Sequence, residues 1–439
     1  MSASPFTRWL NRQSAVVFGV VAIAASFTTY FCMYAVRKPF SAGTFAGTFE
    51  VPGLGALDHK PLLVLAQLLG YTLSKFLGIK IVSEMSSNQR ALVLLGLMSA
   101  ALGTLVGFAI TPAPWHAAWL FLNGIPLGMV WGLVFSFLEG RRTTEALAAG
   151  LSASYVLADG AVKSVGKEVM AAGVTEVWMP FVTGALFFPP LLAAVWVLAR
   201  LPPPNDGDVA ARQVREPMDG PTRARFLATY LPGLGALMLL HLLLTAFRDF
   251  SSSFEADLWR ELGYAEASEL FTTTKVPVTL AVLLALGTLF LIRSNRRAMA
   301  SIYGVMLFGS ALIGGATLAR QAGVLDAVGW MITVQLGIYL AYVPFGSALF
   351  ERMIVALGER GNAGFLIYLV DAFGYLGSVG VTLYKTFGAS SAAASSTPYL
   401  DFYTTFSLMT SALCVVCFGF ALVFFDRPAA RIEANVQAA

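Results

Sequence analysis

The chain has 439 residues, of which 57% are hydrophobic and only 12% charged, with a formal net charge of +4. A soluble domain carries about a quarter charged residues, so this composition excludes a water-soluble enzyme. The positive balance is too thinly spread for a nucleic-acid-binding face. What remains is a polytopic membrane protein.

Arg8 and Arg12 precede the first apolar run, which covers residues 15–44. That run is too long for the apolar core of a secretory signal and is followed by others, so it reads as an uncleaved first helix. About twenty apolar residues in a helix cross the ~30 Å of hydrocarbon in a bilayer. Five more runs follow at 60–83, 89–110, 115–138, 146–172 and 177–199. The stretch from Leu201-Pro-Pro-Pro to Arg225 is polar and proline-rich, the composition of a linker. Six further runs lie at 226–254, 268–292, 298–318, 328–350, 361–386 and 400–425. The expected organisation is an all-α membrane fold of twelve transmembrane helices. One six-helix bundle covers residues 1–200, a cytoplasmic linker 201–225, and a second six-helix bundle 226–439.

The basic residues of the short loops set the orientation. With the N-terminus in the cytoplasm, Arg8, Arg12, Arg90, Arg141, Arg142, the linker arginines, Arg293, Arg296, Arg297, Arg352, Arg360, Arg427 and Arg431 all fall inside. The opposite loops keep Lys60, Arg260 and Arg320, with the acids Glu50, Asp58, Glu176, Glu255, Asp257 and Glu266. Both termini are therefore expected in the cytoplasm of a multi-pass protein of the bacterial inner membrane. A monomer is expected.

The two halves repeat. Tyr155 to Gly166, with Asp159 inside it, is echoed by Tyr368 to Gly380, with Asp371 inside it. Glu139 precedes Asp159 by 20 positions, as Glu351 precedes Asp371; Arg37 precedes Glu139 by 102 and Arg248 precedes Glu351 by 103. Parallel six-helix repeats about an axis along the membrane normal are the arrangement of the major facilitator fold.

Charged residues at membrane depth are costly and normally face a bundle interior or a watery cavity. Arg37 and Arg248 stand at matching places in spans one and seven, which suggests a pair of guanidinium forks for a phosphate or carboxylate. The competing reading is an arginine that reaches the interface or pairs with a local acid. Asp249 is adjacent to Arg248, but neighbours on a helix diverge by about 100° and are not expected to face each other. Lys75, at mid-span, could reinforce the positive site, and Tyr30 and Tyr34 share the face of Arg37. Asp159 and Lys163 are four apart, a good acid-before-base pair that is either structural or a coupling switch. Asp371 has Tyr375 four residues later and so no counter-charge on its own helix, which makes it either a candidate proton carrier or the partner of an Arg or Lys on another span. His241, two turns before Arg248, reads first as a packing residue. Glu139, Arg142, Glu351 and Arg352 lie at cytoplasmic helix ends and read as gate-forming salt bridges. Cys414 and Cys417 have redox spacing but lack the strand–turn–helix context, so no disulfide is implied. The sequence contains no phosphate-cradling loop, nucleotide fingerprint, metal-spaced cluster or nucleophile elbow. No enzyme, cofactor or metal is expected, and any pumping draws on a gradient.

Tyr34-Ala-Val-Arg-Lys-Pro-Phe-Ser41 resembles the first-helix signature of the organophosphate:phosphate antiporters, which include the glycerol-3-phosphate and hexose-phosphate transporters. Gly70-Tyr-Thr-Leu-Ser-Lys-Phe-Leu-Gly78, with Glu84 and Arg90 after it, and the Leu-Thr-Ala-Phe-Arg-Asp-Phe run around Arg248 are also similar to that family. The resemblance implies phosphate coordination by Arg37 and Arg248 with help from Lys75, and antiport by rocker-switch alternating access. The chain departs from the family at Glu84-Met85, and at Ser152-Ala-Ser-Tyr-Val, where a histidine is expected; Asp159 and Lys163 follow instead. The expectation is a secondary transporter that exchanges a small organic anion, first an organic phosphate, for phosphate. The alternative is a proton-coupled symporter of a carboxylate-bearing solute that uses Asp371 or Asp159. The partners expected are that small anion and the lipid bilayer.

Overall fold

A computed structural model describes residues 4–438 apart from 52–54, 84, 87, 142, 205–207, 209–219, 266, 293, 359–362 and 389–397. In hydrocarbon every backbone N–H and C=O must be satisfied within its own segment, so apolar runs of this length fold as helices. Among the described residues nine helices are long and apolar enough to cross a membrane, from Ala15–Arg37 to Pro398–Asp426. A tenth crossing is broken: Met179–Leu186 and Phe188–Leu198 meet at 42°. Pro189 and Pro190 stand just after the break, where the missing N–H groups and the ring clash with the preceding turn bend the helix. Thr144–Ala171, 28 residues, and Ala363–Leu383, 21 residues, occupy the fifth and eleventh expected spans. The first of these carries Asp159 and Lys163 in its interior, which lowers its apolarity without shortening it. The expected spans thus each have a helix.

One feature departs from an all-helical reading. Thr48–Val51 and Gly55–Asp58 form an antiparallel hairpin, with Thr48 opposite Asp58, between the first and second spans. The segment leading into it is anchored by Glu176, whose carboxylate accepts from the N–H groups of Thr44 and Phe45. Elsewhere the surface is that of a protein solvated by lipid: Leu92, Leu284, Leu291 and Val416 are 70–79% exposed, while Ser26, Thr29, Asn123 and Ser154 are fully buried.

The packing forms two compact units. The first takes in Met1–Ala210, Phe250–Val276 and Val379–Leu400; the second takes in Ala211–Asp249, Pro277–Ser378 and Asp401–Ala439. Within the first, polar contacts hold Phe250–Val276 in place. Ser164 donates to the Ser268 carbonyl at 2.7 Å, and the Ser164 and Thr272 hydroxyls meet at 2.7 Å. Glu261 caps the helix that starts at Pro398, accepting from the N–H of Leu400 at 2.7 Å and of Tyr399 at 3.3 Å. Burial pushes the Glu261 carboxyl above its ordinary range, against the pull of those two N–H groups.

In the first unit a polar chain crosses the bundle. Gln67 donates to the Arg37 carbonyl and to Asn123 Oδ1, both at 2.9 Å, and Asn123 donates to the Ala101 carbonyl at 2.9 Å. Its donors and acceptors complement one another, as polar groups at this depth must. The second and fourth spans come this close because Gly70 and Gly124 lie at their crossing. A Cβ on Gly70 would overlap the Phe121 carbonyl, and one on Gly124 would overlap that of Gln67. In the second unit, Pro344 is followed by a π-helical turn, Phe345–Leu349, the local widening that a proline's lost hydrogen bond favours.

Gly124→Ala should therefore cost about 1–3 kcal/mol through overpacking. Gly103→Ala, whose Cβ would meet nothing within 4 Å, should be neutral or stabilising by up to about 1 kcal/mol. Thermal denaturation in detergent checks both. Equal melting temperatures for the two variants would contradict the close crossing.

Candidate functional site

Arg37 is the last residue of helix Ala15–Arg37, and a short turn that opens with Pro39 follows it. The helix is capped at Lys38, itself in helical conformation, and Arg37 is buried at its end. It is 4% exposed, with Cζ 3.8 Å from the centre of the Tyr71 ring and 6.0 Å from that of Tyr34. Lys75, one turn beyond Tyr71 on the same face, has its ammonium 5.4 Å from the same ring. Tyr30 stands edge-on to Tyr34 at 5.7 Å and to Tyr155 at 6.3 Å. The first unit thus gathers Tyr30, Tyr34, Arg37 and Lys75 in one neighbourhood, with Tyr71 as the shared surface. Sequence reasoning passed over Tyr71, although it is the aromatic of the Gly70–Gly78 motif.

The same unit contains a buried charge cluster. Lys163 pairs with Asp159 at 3.0 Å, as the four-residue spacing predicts, and also with Glu255 at 2.7 Å. Lys275 lies 3.3 Å from each of those carboxylates. Ser252 donates its hydroxyl to Asp159, and its carbonyl accepts from Lys163 at 2.7 Å. All four charged side chains are 0–3% exposed. Two readings are corrected here. The Asp159–Lys163 pair is half of a four-membered cluster, and Glu255 is not a loop acid. A short helix begins at Glu255 and turns its carboxylate into the bundle, where two lysines supply the counter-charge that burial demands. Lys275 was missed, although a lysine inside the apolar run 268–292 was the available signal. Lys60, also expected in a loop, is 3% exposed, paired with Asp257 at 2.6 Å and bonded to the Gly43 carbonyl at 2.8 Å.

The second unit holds Arg248 on helix Gly220–Ser253. Its Cζ lies 4.2 Å from the centre of the Tyr342 ring, and Nη2 donates to Asp249 at 2.8 Å and to the Tyr375 hydroxyl at 3.5 Å. The expectation that Asp249 does not face Arg248 is overturned: the long arginine side chain brings both Nε, at 3.2 Å, and Nη2, at 2.8 Å, to Asp249 Oδ1. Ser378 donates to the other Asp249 oxygen at 2.8 Å. Asp371, with no counter-charge expected on its own helix, faces His241, with Nε2 to Oδ1 3.7 Å. The partner comes from another helix, which no spacing rule could supply.

At the helix ends expected in the cytoplasm, Arg352 donates to Asn295 at 2.9 Å, Arg90 donates to the Ser136 carbonyl at 2.9 Å, and Arg141 donates to the Pro202 carbonyl. Glu139 and Glu351 are partly buried, and Arg142 lies outside the described residues. Cys32 and Cys414 are buried, and Cys417 partly so. Among the described residues no three His, Cys, Asp or Glu side chains are grouped to hold a metal ion.

A family model described as a family of unknown function, DUF5690, matches residues 39–428. No curated protein matches the chain. Solved structures do. A D-xylose–proton symporter is similar with a TM-score of 0.58 at 14% identity, over 93% of this chain and 97% of that one. A bacterial homologue of the human lysosomal transporter Spinster, inward-facing and unoccupied, gives 0.57 at 12% identity, over 98% of each chain. The inward-open xylose transporter XylE of E. coli gives 0.57 at 12% identity, over 90% of this chain and 94% of that one. The fold is therefore the twelve-helix major facilitator fold of integral multi-pass membrane proteins.

The charge cluster makes a stability prediction. Lys163→Met strands a carboxylate and should cost about 3–5 kcal/mol, whereas Asp159→Asn with Lys163→Met keeps neutrality and should cost less. Melting temperatures in detergent decide. A double variant no more stable than Lys163→Met would show that charge balance is not what the cluster supplies.

Proposed function

The chain belongs to the DUF5690 family, and on that premise, with its major facilitator fold, we infer that it is a secondary transporter of a small organic anion. The observation that carries the reading is the convergence of Arg37 and Lys75 on one buried tyrosine ring. Stacking on an aromatic face engages the guanidinium by its flat side, whereas its N–H donors lie in the plane. That leaves the geometry suited to an oxoanion that accepts two parallel hydrogen bonds. Arg248, stacked on Tyr342 in the second unit, is the counterpart ligand, its charge tempered by Asp249.

The resemblance of the Tyr34–Ser41 and Gly70–Gly78 segments to organophosphate:phosphate antiporters favours an organic phosphate exchanged for phosphate, by alternating access. A second reading, proton-coupled uptake of a carboxylate-bearing solute, is favoured by the facing of His241 and Asp371.

Proteoliposomes loaded with phosphate test the first reading. Wild-type protein should exchange labelled phosphate, and Arg37→Ala or Arg248→Ala should abolish exchange while remaining folded. Arg37→Lys should recover only part, because an ammonium restores charge without the bidentate fork. Well-folded wild type that exchanges no phosphate rules out the antiporter reading.

A further inference from the structure

Two helices of the second unit meet residue for residue along one face. On Gly220–Ser253 the face carries His241, Thr245, Arg248 and Asp249; on Ala363–Leu383 it carries Asp371, Gly374, Tyr375 and Ser378. His241 faces Asp371 at 3.7 Å, Arg248 reaches Tyr375 at 3.5 Å, and Asp249 accepts from Ser378 at 2.8 Å. Gly374, one turn beyond Asp371, makes room: a Cβ there would stand 2.7 Å from both His241 Cδ2 and Thr245 Oγ1. The imidazole is 4% exposed and stacks on Tyr342 at 5.0 Å between centroids and 25° between planes. Arg248 sits over that same Tyr342 ring at 4.2 Å. One aromatic ring therefore touches both a titratable histidine and an arginine read as an anion ligand.

The internal repeat sharpens the point. An offset of 211 residues carries Arg37 to Arg248 and Tyr30 to His241. Tyr30 makes aromatic contacts in the first unit. The second half keeps the aromatic packing at this position but installs a ring that can take up a proton near neutral pH.

We propose that His241 and Asp371 form a proton-binding pair coupled, through Tyr342, to anion binding at Arg248. The inference rests on the anion-transporter reading and adds the coupling ion. With a neutral imidazole and an ionised Asp371 the pair carries one negative charge. When one proton binds at the imidazole nitrogen facing Asp371, the pair becomes neutral overall. Among the described residues, the charged and titratable groups near His241 include Asp371 and Tyr375 from one helix, Tyr342 from another, and Arg248 with Asp249 on its own helix. Of these, only the pair changes charge between about pH 5 and 8. Neutralising it removes a negative charge from the neighbourhood of Arg248, so a proton at the pair favours an anion at the arginine. By reciprocity the anion favours the proton to the same degree. A carrier built this way moves an anion together with a proton.

The chain has only three histidines, which makes the pair directly observable. His59 and His116 lie in the first unit, stacked on one another at 5.4 Å. Full-length protein labelled with 15N-histidine in lipid nanodiscs should give one imidazole signal that is absent from His241→Gln. The same signal should survive in a His59→Gln, His116→Gln chain. It should titrate between about pH 5 and 8, and its midpoint should fall by about one unit or more in Asp371→Asn, which removes the carboxylate favouring the imidazolium. Inorganic phosphate should raise the midpoint in wild type, and this shift should shrink in Tyr342→Leu. A His241 signal that does not titrate in that range, or an unchanged midpoint in Asp371→Asn, overturns the pair. The phosphate-linked shift in wild type depends on no variant. If equilibrium dialysis shows phosphate bound and the midpoint does not move, the coupling is wrong. If dialysis shows no phosphate bound while His241 titrates as expected, the anion reading fails and takes the coupling with it, and the proton pair stands.

Discussion

Every charge that this chain carries into its helices must be matched, because a carboxylate or ammonium withdrawn from water costs several kcal/mol even after relaxation. The four-membered cluster of Asp159, Lys163, Glu255 and Lys275 meets that demand with two charges of each sign and a serine that both donates and accepts. It also decides which segments pack together. Glu255 and Lys275 lie more than eighty residues beyond Lys163, yet their counter-charges sit on helix Thr144–Ala171, so Phe250–Val276 belongs to the first compact unit. The Lys60–Asp257 pair ties the same segment a second time. Leu and Val side chains are as well solvated by lipid as by one another, so such polar ties add what apolar contact alone does not.

The two arginines solve the same problem with aromatic faces. Arg37 lies on Tyr71 and Arg248 on Tyr342, and a desolvated cation over a ring gains about 2 kcal/mol or more. Beyond that the halves diverge. Arg37 shares its ring with a second cation, Lys75, whereas Arg248 shares its charge with a carboxylate, Asp249. The repeat therefore preserves positions and not local charge. Two cations meet one ring in the first unit, and a cation meets a carboxylate in the second.

The architecture was legible because its signals are long and redundant. Twelve apolar runs, one proline-rich linker and paired spacings between arginine, glutamate and aspartate all pointed to one arrangement. Within the candidate site, proximities were legible only between residues of one helix, as with Tyr30, Tyr34 and Arg37, or Asp159 and Lys163. Partners from other helices were not. Nothing in the neighbourhood of Asp371 announces His241, and nothing near Arg37 ranks Tyr71 above the other tyrosines. Glu255 was misread because an acid just past an apolar run ordinarily faces water, and the exception depends on lysines at distant positions. The Thr48–Asp58 hairpin escaped because eleven residues between two long spans carry too little pattern to outweigh the helical signal around them.

The cluster and the His241–Asp371 pair are opposite uses of buried charge. In the cluster each carboxylate touches two lysines and each lysine two carboxylates, so the removal of any one of them strands a charge. The pair has one acid and one neutral-range base at a longer separation of 3.7 Å. Its two protonation states differ by one charge and neither leaves an ion opposite a like ion. A membrane protein that must hold its shape while it changes charge needs both arrangements. The first arrangement lies in the unit that carries Arg37, and the pair lies beside Arg248, where Tyr342 touches both His241 and the arginine proposed as an anion ligand.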